Sequence, residues 1–350
     1  MKKLLLIILL CTSLLGGCVQ SREVENQAYA IVMGVDHASN EIEVCIKFPS
    51  ISSSGEKDSS SGTSQYKMLT AAAANFRLAL EKIRHQAPRK LNLSHLDLLV
   101  LSKNMAKSPS FRELIEDIAQ TERLYTASYV LLCDGSAAEY VAQLEPAVGS
   151  RLSMDIPAQF EHLSEQGIIP DARLADLYYL TESVYSDPMA ARTQITDEKK
   201  PQMSGSIVFS DGRYTLELNE KQSVLTNLIK NEVRYFRYNI DGKIIEAAPS
   251  APAELSVDIS QYPAKLKLKL RLSIGSQKDM PAAGKIREQI TRDVTDLIQL
   301  AQQSGTDPFG FSEKAAKKHP TIKSWMNSNW DSVYMSAIPV VEVDISRWDA

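Results

Sequence analysis

The sequence has little that catalysis or metal binding could use. Its five histidines, His37, His85, His95, His162 and His319, stand singly in different segments, and no HExxH, GxSxG, GxxxxGKS/T or paired-cysteine zinc spacing occurs. The metalloprotease, α/β-hydrolase, phosphate-loop and zinc-module classes therefore lose their usual supports, and no catalytic residue, cofactor or metal site is expected. Ser54 with Lys57, Ser64 with Lys67, and Ser102-Lys103-Asn104 mimic penicillin-binding motifs, but no KTG follows, and the first two pairs sit in or beside a serine-rich stretch. Cysteine is scarce, at four residues. Cationic excess is missing too: the formal net charge is -4, and no concentrated basic face marks a nucleic-acid binder. Beyond the first residues, no apolar run approaches the roughly 20 residues that cross a bilayer as a helix.

What is present begins at residue 2. Lys2 and Lys3 precede an unbroken apolar run, Leu4 to Leu10, which reads as an export signal over residues 1–17. Leu15-Gly16-Gly17-Cys18 resembles the bacterial lipobox, so Cys18 is the expected lipidation site; Cys11, preceded by Leu10, is a poorer acceptor. Each buried methylene stabilises membrane attachment by about 0.8 kcal/mol, and two or three fatty chains hold a protein durably where one does not. Losing the leader removes both lysines and moves the formal charge to -6. Cys45 and Cys133 then remain, either as one extracellular disulfide or as two separate buried thiols.

The fold class expected is α+β or mixed α/β, in two to three domains with mixed and antiparallel sheets covered by helices. Ala28 to Val35 is apolar, and Ile42, Val44, Ile46 and Phe48 alternate beyond a polar turn, which predicts a hairpin. The polar stretch from Pro49 to Gln65 is expected to be a loop. Leu69, Ala73, Phe76, Leu80 and Ile83 fall at helical spacing and predict a helix over 68–85. A strand at 96–101, a helix carrying Phe111, Leu114, Ile115 and Ile118, a strand at 124–133, and helices at 137–144 and 154–166 follow as an α/β layer. Thr193 to Lys200 reads as a linker, so the expected domains are 18–195 and 196–350, with a further division near 250. Asp211-Gly212 and Asp241-Gly242 predict tight hairpin turns, with a helix at 220–228 between them. KLKLKLRL, Lys265 to Leu272, sends four leucines one way and four cations the other. The strand from Val341 to Ile345 carries Glu342 and Asp344 on its polar face, so the two are expected as neighbours, the cations facing acids rather than lipid headgroups. Ile286, Ile290, Val294, Leu297 and Ala301 predict a long covering helix. Trp325, Trp330 and Trp348 read as core and lid aromatics.

These segments, taken in order, resemble one family. Arg22-Glu23-Val24-Glu25 leads into AYAIVMGVD at Ala28 to Asp36; LDLLVLSKNMAK follows at Leu96 to Lys107, then RLYTASYVLLCDGSAAEYV at Arg123 to Val141. Gly205-Ser206-Ile207-Val208-Phe209 opens the second half, and Asp307-Pro308-Phe309-Gly310-Phe311, His319-Pro320, Trp325, Trp330 and VVEVDI close it. The chain resembles the lipoprotein C-subunits of spore germinant receptors, the GerAC/Ger(x)C family of endospore-forming bacteria. The resemblance implies a noncatalytic subunit needed for receptor assembly or signalling. Its partners would be the polytopic A and B subunits and, through the lipid anchor, the membrane; neither nucleic acid nor a direct small-molecule ligand is expected. It would lie on the outer face of the cytoplasmic membrane, the inner spore membrane of the dormant spore. A substrate-binding lipoprotein of an importer is the rival reading, which the hairpin-rich second half disfavours.

Overall fold

Hydrophobic alternation on both sides of one sheet organises the first two thirds of the chain in the computed structural model. The structure describes residues 26–38, 40–50, 66–121, 127–146, 151–181, 185–195, 201–240, 242–275 and 283–347. The leader, Cys18, most of the 49–65 loop and Trp348 lie outside the described residues. After β1 (Gln27–Tyr29) come β2 (Val32–Ala38) and β3 (Glu41–Pro49), an antiparallel hairpin with Gly34 opposite Cys45.

The single helix expected over 68–85 is instead β4 (Tyr66–Ala73) followed by α1 (Phe76–Gln86). β4 pairs with β3, placing Leu69 opposite Ile46 and Ala71 opposite Val44. Asn75 accepts the Leu78 N–H at 2.9 Å and so starts the helix. Ladder bonds to a neighbouring strand outweigh the intrinsic helix preference of an alanine run, and only Phe76, Leu80 and Ile83 of the expected stripe are helical.

The layer continues through β5 (Lys90–Asn92), β6 (Leu98–Ser102), α2 (Lys103–Lys107), α3 (Phe111–Ala119) and β7 (Tyr129–Cys133). Next come α4 (Ala137–Gln143), α5 (Leu152–Glu165), α6 (Leu174–Thr181), β8 (Met189–Ile195), β9 (Pro201–Ser210) and β10 (Arg213–Leu218). Eight of these strands form one sheet in the order β10-β9-β8-β7-β6-β2-β3-β4, parallel in the middle and antiparallel at both flanks. Met33, Val35, Val44, Ile46, Leu99 and Leu101 pack against α1, α3 and α6, while Val32, Cys45, Leu98, Val100 and Leu131 pack against α4 and α5. Each such side chain contributes about 1.5–3 kcal/mol through burial.

Gly34 marks the closest approach of α4, because a Cβ there would lie 2.6 Å from the Cys45 Sγ and 3.2 Å from the Ala137 carbonyl oxygen. Two residues on, Asp36 accepts from the Ala138 N–H and the Ser136 hydroxyl, so the Gly-x-Asp within this strand seats the start of α4. Lys47, on the neighbouring β3, closes the other end of the helix. Its ammonium donates to the carbonyls of Val141 at 3.1 Å, Ala142 at 3.3 Å and Leu144, with Glu145 at 3.5 Å.

Thr193 to Ile195, expected in a linker, belong to β8. The expected division at 195/196 falls in the connection between β8 and β9, which pair with each other. The remainder comprises α7 (Glu220–Ile229), β11 (Phe236–Ile240), β12 (Lys243–Asp258), β13 (Lys265–Ile274), α8 (Ala283–Gln303), α9 (Phe311–Ala316), α10 (Ile322–Met326), α11 (Trp330–Ser336) and β14 (Ile338–Arg347). Residue 250, the expected further division, lies inside β12.

A four-stranded sheet, β11-β12-β13-β14, buries Leu266, Leu268, Leu270 and Leu272 beneath the Ile286, Ile290, Val294, Leu297 and Ala301 stripe of α8. β14 runs parallel to β13, with Glu342 opposite Lys269 and Asp344 opposite Arg271. Lys269 reaches Glu342 at 2.7 Å and Asp344 at 3.1 Å, Arg271 reaches Glu254 at 2.7 Å, and Lys267 reaches Asp258 at 3.0 Å. Three of the four cations are thus paired on their own sheet, in solvent-screened pairs that select register more than they add stability.

Candidate functional site

The expected lipidation residue, Cys18, lies outside the described residues. Cys45 and Cys133 are both buried and free. They sit on β3 and β7 with β2 and β6 between them, about 14 Å of sheet at the usual strand spacing and far beyond disulfide reach. Burial pushes both thiols up to about 12, which leaves them unreactive. Ser102 is a helix cap: its hydroxyl accepts the Met105 N–H at 3.1 Å, which accounts for the Ser-Lys-Asn sequence without any chemistry.

Lys103 and Asp134 follow the carboxyl ends of β6 and β7, the edge where open α/β sheets usually hold ligands. Here the edge is closed by charge. The Lys103 ammonium lies 2.8 Å from Glu217 and 3.4 Å from Asp134; Arg192 on β8 pairs with Glu217 and lies 3.8 Å from Asp134. The Tyr214 hydroxyl donates to Glu217 at 2.6 Å. Burial opposes ionisation of Glu217, but hydrogen bonds from Lys103 and Tyr214 and the charge of Arg192 hold its carboxyl below the usual range. Two cations and two carboxylates satisfy one another, and no nucleophile stands among them.

The DPFGF segment that sequence reasoning singled out forms a clasp. Asp307 is buried, and its Oδ1 accepts the N–H groups of Phe309 at 3.3 Å and Gly310 at 3.1 Å; its Oδ2 accepts the Ser312 N–H at 2.5 Å and hydroxyl at 2.6 Å. Gly310 takes φ 89°, a left-handed turn conformation that glycine adopts without strain. The Ser312 hydroxyl in turn accepts the Trp330 indole N–H at 2.8 Å, and Trp330 packs between Trp325 and Tyr334, with ring centres 5.7 and 6.0 Å away. Both expected core tryptophans within the described residues are therefore buried in one aromatic group.

The clasp also grips the larger sheet. Asp187, just before β8, accepts the Asp307 N–H at 2.6 Å and donates its own N–H to the Asp307 carbonyl at 3.2 Å. Sequence reasoning missed this residue, which no motif contains; a lone aspartate before Pro188 gives no signal. Burial pushes its carboxyl up to about 6, despite hydrogen bonds from the Asp307 backbone and Ser210. Burial raises the Asp307 carboxyl as well. A cleft of about 380 Å³ opens beside the clasp, lined by Asp187, Asp211, Asp307, Asp331, Trp330 and Tyr334 among others.

Because the folded-state value of Asp187 lies above its ordinary 3.8, the native state holds this proton more tightly than the unfolded chain. Its contribution is fully present below about pH 4 and is lost as pH rises towards 6. Asp187→Asn keeps an acceptor for the Asp307 N–H and removes the titration. Urea unfolding should show the variant gaining stability relative to the parent between pH 4 and pH 7; a constant difference across that range would contradict the assignment.

Residues 20–195 match the family described as spore germination protein N-terminal domain, and residues 204–347 match spore germination B3/GerAC like, C-terminal. The chain is 19% identical to the putative spore germination protein YfkR of Bacillus subtilis (strain 168), across 98% of this chain and 96% of that protein. It is also 19% identical to spore germination protein KC of the same strain, across 96% and 92%. The crystal structure of the GerBC protein superposes with a TM-score of 0.56 at 11% identity, over 91% of this chain and 97% of that one, a likeness of fold.

Proposed function

The chain belongs to the GerAC-like spore germination family, and on that footing we propose that it is the noncatalytic lipoprotein C-subunit of a nutrient germinant receptor, tethered by lipid on Cys18. The observation that carries this reading is the pair of family matches, which together span residues 20–195 and 204–347 in order. Among the described residues no helix is long and apolar enough to cross a membrane, so attachment through acyl chains fits the described part. The self-neutralised carboxyl edge of the sheet supports a role in assembly or signalling without chemistry. Its partners are the polytopic A and B subunits, and its place is the outer face of the cytoplasmic membrane, the inner membrane of the dormant spore. The described part of the second half, a four-stranded sheet under one long helix, supplies no second lobe of repeated βα units of the kind an importer's binding lipoprotein folds around its cleft.

Cys18→Ala should move the protein out of the membrane fraction and leave spores poorly responsive to the cognate nutrient. Membrane fractionation followed by immunoblotting, with germination followed by loss of optical density, checks both halves. Undiminished germination with the variant in the soluble fraction would count against the proposal.

A further inference from the structure

Four carboxylates line the cleft beside the clasp, from Asp187, Asp211, Asp307 and Asp331, and no lysine or arginine lines it among the described residues. Asp307 is satisfied by the turn it folds and Asp187 accepts the Asp307 N–H, but no cation among the described residues lining the cleft neutralises its carboxylates. A second deficit lies in the same wall. Tyr334 is only 4% exposed, and its buried hydroxyl has no hydrogen-bond partner among the described residues. Buried polar groups are almost always paired, so an orphan hydroxyl beside carboxylates that no described cation neutralises points to a missing donor-rich group. Trp330 supplies an aromatic surface to the same space, the usual complement of a cation with carbon attached.

The size and spacing decide which cation. No three His, Cys, Asp or Glu side chains among the described residues are close enough to chelate a metal ion. A volume of about 380 Å³ exceeds what a bare ion fills and falls among small-molecule sites. We propose that this cleft binds a small organic ammonium ion, its N–H groups donating to the aspartates and its carbon chain lying against Trp330. Asp211 sits in the β9–β10 turn of the large sheet and Asp331 in the first turn of α11, so the ion would bridge the two sheets' supporting structures. This goes beyond membership of a receptor and against the expectation of no direct small-molecule ligand.

Isothermal titration of the full chain in detergent with cadaverine tests the idea, with pentanediol as the uncharged analogue and calcium chloride as the metal control. Saturable cadaverine binding is expected, with none from pentanediol, and Asp211→Asn/Asp331→Asn should weaken it by about tenfold or more. Asparagine suits both positions: Asp211 has φ 51°, which asparagine tolerates, and Asp331 is exposed. Asp331→Asn alone, which leaves the turn untouched, should give a smaller loss with an unchanged near-ultraviolet spectrum. Absence of cadaverine binding, equal binding by the variants, or binding of calcium but not cadaverine would each overturn the proposal.

Discussion

Asp307→Ala should cost about 3–5 kcal/mol of stability. Three backbone N–H groups and one hydroxyl converge on that carboxylate in a buried turn, and alanine leaves all of them without an acceptor. Each buried donor so stranded costs about 1–3 kcal/mol, less than additively because the turn can relax. The damage spreads along two bonds: Ser312 loses the position from which it accepts the Trp330 indole, and the link to Asp187 loosens. Asp307→Asn should fall between, since its amide nitrogen would meet donors on one side. Guanidinium unfolding followed by tryptophan fluorescence measures this directly. A loss under about 0.5 kcal/mol, the range of ordinary surface changes, would show that the turn holds itself.

Lys47→Met is expected to cost about 2–4 kcal/mol although it replaces a charge by an apolar side chain of similar reach. The lysine is 3% exposed, and its ammonium donates to three carbonyls at the end of α4, of which Val141 also accepts the Leu144 cap N–H. Methionine fills the space but takes the ammonium from the Ala142 and Leu144 carbonyls, while Val141 keeps the Leu144 N–H. Thermal unfolding by circular dichroism should show the drop, and Lys47→Arg should recover part of it. A methionine variant as stable as the parent would mean that water reaches the carbonyls instead.

Most of the architecture could be read in the sequence because periodicity reports directly on which face is covered. The alternation of Leu266 to Leu272, the 3-and-4 spacing from Ile286 to Ala301 and the pairing of cations with Glu342 and Asp344 each left a pattern that only one arrangement satisfies. Where the pattern was ambiguous the reading failed. Met68 to Ala73 carries helix-favouring residues at spacings compatible with a helix, and only its partner strand β3 decides otherwise; Asn75, a capping residue, was the local sign that the helix begins later. Lys47 was hidden for a related reason. Strict alternation on β3 predicts one covered face, whereas α4 covers the other as well, turning a polar position into an interior one. The DPFGF segment was noticed as a pattern, but its work depends on Asp187, 120 positions away in sequence, and no local signal reports a contact of that range.

The ladder between β8 and β9 bears on how such proteins can be recombined. The two family segments meet between residues 195 and 204, yet Ala190 pairs with Ile207 and Ala191 with Ser206 across that junction. A chimera joined there from two diverged relatives would inherit half of one sheet from each parent, and a fragment stopped at residue 195 would present β8 as a bare edge open to aggregation. Halves of these subunits should therefore exchange only between relatives whose facing strands still match, and a junction placed after β10, near Asn219, should transplant with fewer losses.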